Sequence, residues 1–242
     1  MGKLAFAAPS CVIPGTVAEN AHFLAGKVAE VALCLFETRS CLEYGVEDLP
    51  ITLKELDLSW HVHLPVDIPR EAGGRPAAAH DVAVVGKVAY LAPRLAVLHP
   101  PHHPQTATLL RDFAMLWREY SALPLLLENI DTAPLVDLQA CIIEANYGIC
   151  LDVGHALGYA QKALLANTCL LQRVALAHWS APGQRDQHLP LTALRPDEWS
   201  IARQVALSLP ADTRHVLEIF HWNGVETSAP VLQHLLRRAE HE

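Results

Sequence analysis

The acids and imidazoles of this chain sit where short apolar runs stop. LSWHVHLP carries His61 and His63, LAVLHP ends at His99, and LPLLLENI reaches Glu128. GICLDVGH brings Asp152 and His155, VALAHWS brings His178, and RHVLEIF brings Glu218. Buried apolar surface has no use for such groups, and each costs free energy unless it is paired or bound to a cation. Six hydrophobic runs ending this way point to several strands converging on one polar centre. The donor types point to a metal cluster.

Taken singly, the candidates differ in what they offer. His61 and His63 are two residues apart on a strand, so both face one side. His63, nearer the strand end and followed by Leu-Pro, is the preferred donor, with His61 deeper as a supporting or core histidine; the choice stays open. His99 opens HPPHHP, in which His102 and His103 are expected to be solvent-exposed. Asp152 and His155 form D-V-G-H, where Gly154 is expected to permit a tight turn that brings both to one ion. His178 is followed by Asp186-Gln187-His188, an Asp-x-His pair able to place two donors on one cation. His22, His80, His215, His221, His234 and His241 read as surface or helix-face residues. Counting His63 for its strand, the candidate set is His63, His99, Glu128, Asp152, His155, His178, Asp186, His188 and Glu218. Nine donors exceed what one four-coordinate ion uses, so two or three ions sharing carboxylates are expected. Mixed nitrogen and oxygen donors suit zinc, manganese or iron better than calcium or magnesium.

The elements that must hold these residues alternate along the chain. Strand-like runs cover 4–9, 31–37, 58–64, 95–99, 123–129, 148–153, 174–179 and 214–220. Helical periodicity fills stretches such as 77–92, 105–121 and 196–209, and VLQHLLRRAEH closes the chain. Helix starts are signalled at Thr16, in a capping box with Glu19, and at Asp197 after a proline. The strand runs are continuously apolar, as parallel strands covered on both faces are. Eight βα units without a linker predict a single α/β domain over residues 1–242, a (β/α)8 TIM barrel. An open doubly wound sheet is the weaker alternative, because no glycine-rich turn follows the first strand and the candidate donors spread over six strands. The segments 67–76 and 181–190 are loops on the C-terminal face of such a barrel, long enough to carry specificity.

Composition narrows the function classes. The chain is 51% hydrophobic and 18% charged, which supports a real core. Its net charge is −8 and it has no Lys/Arg cluster, which argues against a nucleic-acid surface. The six cysteines show no CxxC spacing and read as buried free thiols of a reducing cytoplasm. The N-terminus lacks a signal-like apolar run and no stretch reaches the ~20 apolar residues of a membrane span, so a cytoplasmic protein is expected.

The order of these residues is similar to that of the endonuclease IV / xylose isomerase-like barrel superfamily. His falls on the third and fourth strands, Glu on the fifth, Asp-x-x-His on the sixth, His then Asp-x-His on the seventh, and Glu on the eighth. The match covers nearly the whole chain. It implies up to three metal ions held by the nine candidates above, with Glu128 as the bridging carboxylate and Glu218 as the second bridge. Asp186 and His188 depart most, because only eight residues separate His178 from Asp186. Within the superfamily, LAFAAPSCVIPGTVAEN, HVHLPVDIP, the LHPP turn, LLLENI and CLDVGHALGYAQ resemble cobamide remodeling phosphodiesterases. That resemblance implies hydrolysis of the phosphodiester in a cobamide nucleotide loop, with a small-molecule corrinoid as substrate.

The expectation is therefore a metal-dependent hydrolase in which Glu128, Glu218 and Asp152 carry the catalytic metal-holding roles. Trp60, Tyr159, Trp179 and Trp222 lie near the expected mouth, where a planar ligand would meet them, though ordinary packing accounts for each. A sugar isomerase or epimerase using one metal and the two glutamates is a second class, and a corrinoid-binding carrier without turnover a third.

Overall fold

The computed structural model describes residues 5–67, 73–184 and 187–237. Eight parallel strands form a closed barrel: β1 (Ala7–Pro9), β2 (Glu30–Cys34), β3 (Ser59–His63), β4 (Ala96–Leu98), β5 (Leu125–Glu128), β6 (Gly148–Asp152), β7 (Val174–Trp179) and, after a small hairpin, β10 (Arg214–Leu217), which pairs back with β1. Closure removes the open doubly wound alternative. The hairpin is β8 (Ala181–Pro182) antiparallel to β9 (His188–Leu189), and it lies within the expected 181–190 loop.

Around the barrel run α1 (Val17–Leu24), α2 (Thr38–Glu43), α3 (Gly74–Val88), α4 (Thr106–Tyr120), α5 (Gln139–Glu144), α6 (Val153–Gly158), α7 (Lys162–Leu165), α8 (Thr168–Leu171), α9 (Pro196–Ser208) and α10 (Trp222–Leu236). Among the described residues no helix is long and apolar enough to cross a membrane. The Thr16 capping box forms: Glu19 N–H donates to Thr16 Oγ1 at 3.2 Å, and Thr16 N–H donates to Glu19 Oε2 at 2.7 Å. Helix α9 starts one residue before Asp197, with Pro196 in its first turn.

Two helix starts depart from expectation. Helix α3 begins at Gly74 rather than 77, and a Cβ at Gly74 would lie 2.2 Å from the Leu109 carbonyl of α4. The close α3–α4 crossing selects glycine there in spite of its poor helix propensity. Helix α10 begins nine residues before the apolar run at Val231. Its first half, WNGVETSAP, contains weak helix formers, and the helix is started by its cap: Gly224 N–H donates to His221 Nδ1 at 3.0 Å.

The barrel has two apolar cores. One lies between strands and helices and includes Trp60, Trp117, Tyr147 and Trp179. The other fills the barrel itself with Ala7, Ala32, Cys34, Leu95, Val97, Leu126, Cys150, Leu176 and Val216. A strand repeats its facing every two residues, so the position two beyond an interior residue also points inward, one layer higher. From Val97, Leu126, Cys150, Leu176 and Val216, that step reaches His99, Glu128, Asp152, His178 and Glu218. The interior plug thus aims the polar side chains at the C-terminal mouth.

Candidate metal centre

At that mouth eight of the nine candidates come together. Asp186 lies outside the described residues. Glu128 is 1% exposed and central: His63 Nε2 is 3.2 Å from its Oε2, His178 Nδ1 3.4 Å from the same oxygen, and His99 Nε2 3.5 Å from Oε1. Asp152 and His178 are register partners on β6 and β7. His188, carried in by β9, has Nδ1 3.5 Å from Glu218 Oε2 and 4.0 Å from Asp152 Oδ2. His61 stands outside the cluster. Its Nδ1 meets Glu30 Oε1 at 2.9 Å, and Arg214 closes on the other Glu30 oxygen at 2.7 Å, one layer below His63. Register therefore separates two histidines that strand parity leaves equivalent.

The donor atoms fall into three overlapping groups: His63, His99 and Glu128; Glu128, Asp152, His178 and Glu218; Asp152, His155 and His188. Within each group the atoms lie within 4.8 Å of one another. Glu128 belongs to the first two groups and Asp152 to the last two. Cys150 also approaches Glu128 and His178 from the layer beneath.

Ring orientations agree with a ligand role. His63 Nδ1–H donates to the Leu64 carbonyl at 3.0 Å, which turns Nε2 inward. His155 Nδ1 points at the Asn129 carbonyl at 2.9 Å. Such a second contact fixes the tautomer of a metal-binding imidazole. His99 Nε2 and Asp152 Oδ2 are buried and make no hydrogen bond among the described residues. His178 Nδ1 pairs with Glu218 Oε2 at 2.7 Å, outside hydrogen-bond geometry among the described residues. Lone pairs aimed into common space in this way fit a cation, and the mixed nitrogen and oxygen set fits a transition ion.

Electrostatics give the same result. Burial pushes Glu128 upward, but the imidazoles of His178, His99 and His63 outweigh it and hold the carboxyl well below the usual range. Burial also raises Glu218, and His178 overrides it, leaving a value of about 2. Asp152 goes the other way, to about 6, because burial and the charges of Glu218 and Glu128 exceed what His155 and His188 offset. Of the three buried carboxylates, Asp152 is the one whose charge the imidazoles do not offset, and a cation bound there would stabilise it.

Asn129, which the sequence did not single out, organises one side of the centre. It is fully buried. Its Oδ1 accepts the Asp152 N–H at 2.7 Å, its Nδ2 donates to the Asp152 carbonyl at 2.9 Å, and its own carbonyl holds His155. Asp152 in turn caps α6, accepting His155 N–H at 2.6 Å. Gly154 is not in the left-handed region; its role is close approach, since a Cβ would lie 2.3 Å from Ser180 Oγ. The expected tight turn is therefore a helix start pressed against the β7–β8 junction.

The aromatic surroundings differ from expectation. Trp60 and Trp179 are buried in the outer core, and Trp222 packs edge-on against Phe23, so none of the three faces the mouth. Tyr159 does, with its ring 5.4 Å from His155. Phe36 and Phe220 complete the rim: Phe36 lies 5.4 Å from His63, Phe220 5.1 Å from His188, and the two rings are 6.0 Å apart. Each ends an apolar run, which was the available signal. A cavity of about 270 Å³ opens beside the cluster, lined by His155, Tyr159, Ser180, Gln187 and His188 among others. A larger one, about 670 Å³, lies at the opposite end of β5 and β6 around Trp117 and Arg173, away from the donors. His215 is not a surface residue; it is half-buried and accepts the Trp179 indole N–H at 3.1 Å.

No protein-family model matches the chain, and no curated protein matches it in sequence. Solved structures do match. A D-tagatose 3-epimerase-like protein aligns with a TM-score of 0.69 at 16% identity, over 96% of this chain and 97% of its own. The IolI protein with a bound zinc atom aligns with a TM-score of 0.64 at 10% identity, over 96% and 95%. An L-ribulose 3-epimerase aligns with a TM-score of 0.63 at 14% identity, over 99% and 89%. With its closed eight-stranded parallel barrel and these neighbours, the chain has a (β/α)8 TIM barrel fold.

Proposed function

We propose that the chain is a metal-dependent phosphodiesterase of a small molecule, with the nucleotide-loop phosphodiester of a cobamide as its substrate. One observation carries the hydrolytic reading: the donors form three groups that share Glu128 and Asp152, enough for two or three ions. Zinc fits this donor chemistry, with manganese and iron as alternatives, and the similar IolI protein holds zinc. Such ions, when bound, lower the pKa of water and neutralise phosphate oxygens.

The chain's own residues do the rest. Glu128 and Asp152 set the spacing between donor groups, and Glu218 faces His178 and His188 across the middle group. Leu64 and Asn129 fix the His63 and His155 rings. Phe36, Phe220 and Tyr159 form an apolar rim. The net charge of −8 favours a small substrate over a nucleic-acid duplex. The cobamide assignment rests on the sequence resemblance.

A one-ion sugar epimerase is the competing reading. Glu128, Asp152, His178 and Glu218 alone can hold one cation, and two of the similar structures are an epimerase and an epimerase-like protein. Incubation of zinc-loaded protein with a cobamide, followed by mass analysis, separates the two. Cobinamide phosphate and an α-riboside support the proposal. Unchanged cobamide alongside epimerisation of a ketose refutes it, and tight corrinoid binding without cleavage identifies a carrier.

A further inference from the structure

Two of the six cysteines meet at the rim of the metal centre. The β1–β2 ladder pairs Ala7 with Glu30, Ala8 with Val31 and Pro9 with Ala32, a constant offset. Ser10 extends it: its N–H donates to the Ala32 carbonyl at 2.8 Å, and its hydroxyl accepts the Cys34 N–H at 3.0 Å. Continued past the end of the ladder into the turn after β1, the same offset aligns Cys11 with Cys34. Cys34 belongs to the barrel-interior cluster and Cys11 packs against it, so the two thiols interact there. The backbone is held on each side of Cys11, by Ser10 and by the Trp222 N–H donating to the Val12 carbonyl at 2.9 Å.

Adjacent strands run about 4.8 Å apart. A disulfide spans Cα separations of roughly 4.4–6.8 Å, a range that contains this strand spacing. We propose that Cys11 and Cys34 form a dithiol site that closes reversibly to an intrachain disulfide beside the metal centre. Cys11 is the partly exposed member of the pair and Cys34 the buried one. Cys34 is also the register partner of His63, which places the bond beside a candidate metal ligand.

The chemistry needs a two-electron oxidant such as hydrogen peroxide. The Cys11 sulfur attacks one peroxide oxygen, the O–O bond breaks, and a sulfenic acid and one water result. The Cys34 sulfur then displaces that oxygen as a second water, its proton leaving with it, and the S–S bond forms. Two thiols are oxidised and one peroxide is reduced to two waters. Cys11, the more accessible of the two thiols, is the attacking sulfur. The remaining thiols serve as controls, because Cys41, Cys141 and Cys150 are buried and Cys169 is exposed on α8.

The test uses the full zinc-loaded chain treated with one equivalent of peroxide per chain, then alkylated, digested and mapped by mass. The expected product is a Cys11–Cys34 cross-linked peptide lacking two hydrogens, reversed by dithiothreitol, with Cys169 still alkylated. Cys34→Ser is expected to leave a dimedone-trappable sulfenic acid at Cys11, and Cys169→Ser to cross-link as the parent does. A dimedone adduct or sulfinic acid at Cys11 of the parent chain without the cross-link overturns the proposal. So does an unreacted Cys11 at an oxidant dose that consumes Cys169. These readouts are independent of any phosphodiesterase activity.

Discussion

Asn129 holds more of the centre in place than any other side chain outside the donor set. It grips the Asp152 backbone from both its N–H and its carbonyl, and its own carbonyl fixes the His155 ring. Gln161 secures it in turn, accepting from its Nδ2 at 2.9 Å. Asn129→Ala is expected to weaken metal binding by about 10–100-fold, the usual cost of losing an orienting partner. Chelator competition measures this; unchanged affinity would remove Asn129 from the account. Nothing in the sequence marked it, because an asparagine after a strand is also ordinary turn chemistry. Glu128, Asp152 and Glu218 were legible for the opposite reason: an acid ending an apolar run has no bland use. His215 misled by being assigned to the surface, whereas its half of β10 turns toward the indole of Trp179. Burial depresses His215 to about 4. Unfolded histidine titrates near 6.5, so between those values the unfolded chain binds the extra proton. This contribution to stability is complete above about pH 6.5, falls as pH drops toward 4 and is gone below it. Thermal melts across that range are expected to show a shallower acid-side loss in His215→Gln than in the parent.

At the scale of elements, β4, β5, β6, β7 and β10 place their functional groups by the same device, an interior apolar residue two positions earlier. That device is visible in sequence, and the eight strands and the barrel follow from it. Depth is not visible. Whether His61 or His63 reaches the cluster depends on how β3 is staggered against β2 and β4, a pairing that a single strand does not encode. Helix ends were obscured where packing overrides propensity, as at Gly74 of α3 and through WNGVETSAP of α10. Gly74→Ala forces a methyl into the Leu109 carbonyl. A loss of about 1–3 kcal/mol is expected from overpacking, lowering Tm by roughly 2–4 °C per kcal/mol in a domain of this size. Metal content should be unaffected, since the α3–α4 contact is remote from the donors. An unchanged Tm would show that the crossing is looser than the coordinates describe.

For the whole molecule, the barrel closes around a charge imbalance. Its floor is neutralised internally by the Glu30–His61–Arg214 network, while at its mouth the imidazoles offset Glu128 and Glu218 but leave Asp152 uncompensated. A cation that binds the folded chain and not the unfolded one stabilises it, by about 4 kcal/mol at a thousandfold excess over its Kd. Chelation is therefore expected to lower Tm by roughly 8–16 °C at that occupancy, with recovery on adding zinc. A melt indifferent to chelator would mean that the mouth is a polar cluster and not a metal site. The most direct test of the central claim is the number of ions per chain, counted by elemental analysis after zinc reconstitution and desalting. Two or three ions, falling by at least one in Glu128→Gln and in Asp152→Asn, are predicted. One ion per chain, lost together in both variants, would contradict a shared-carboxylate cluster and the hydrolytic function built on it.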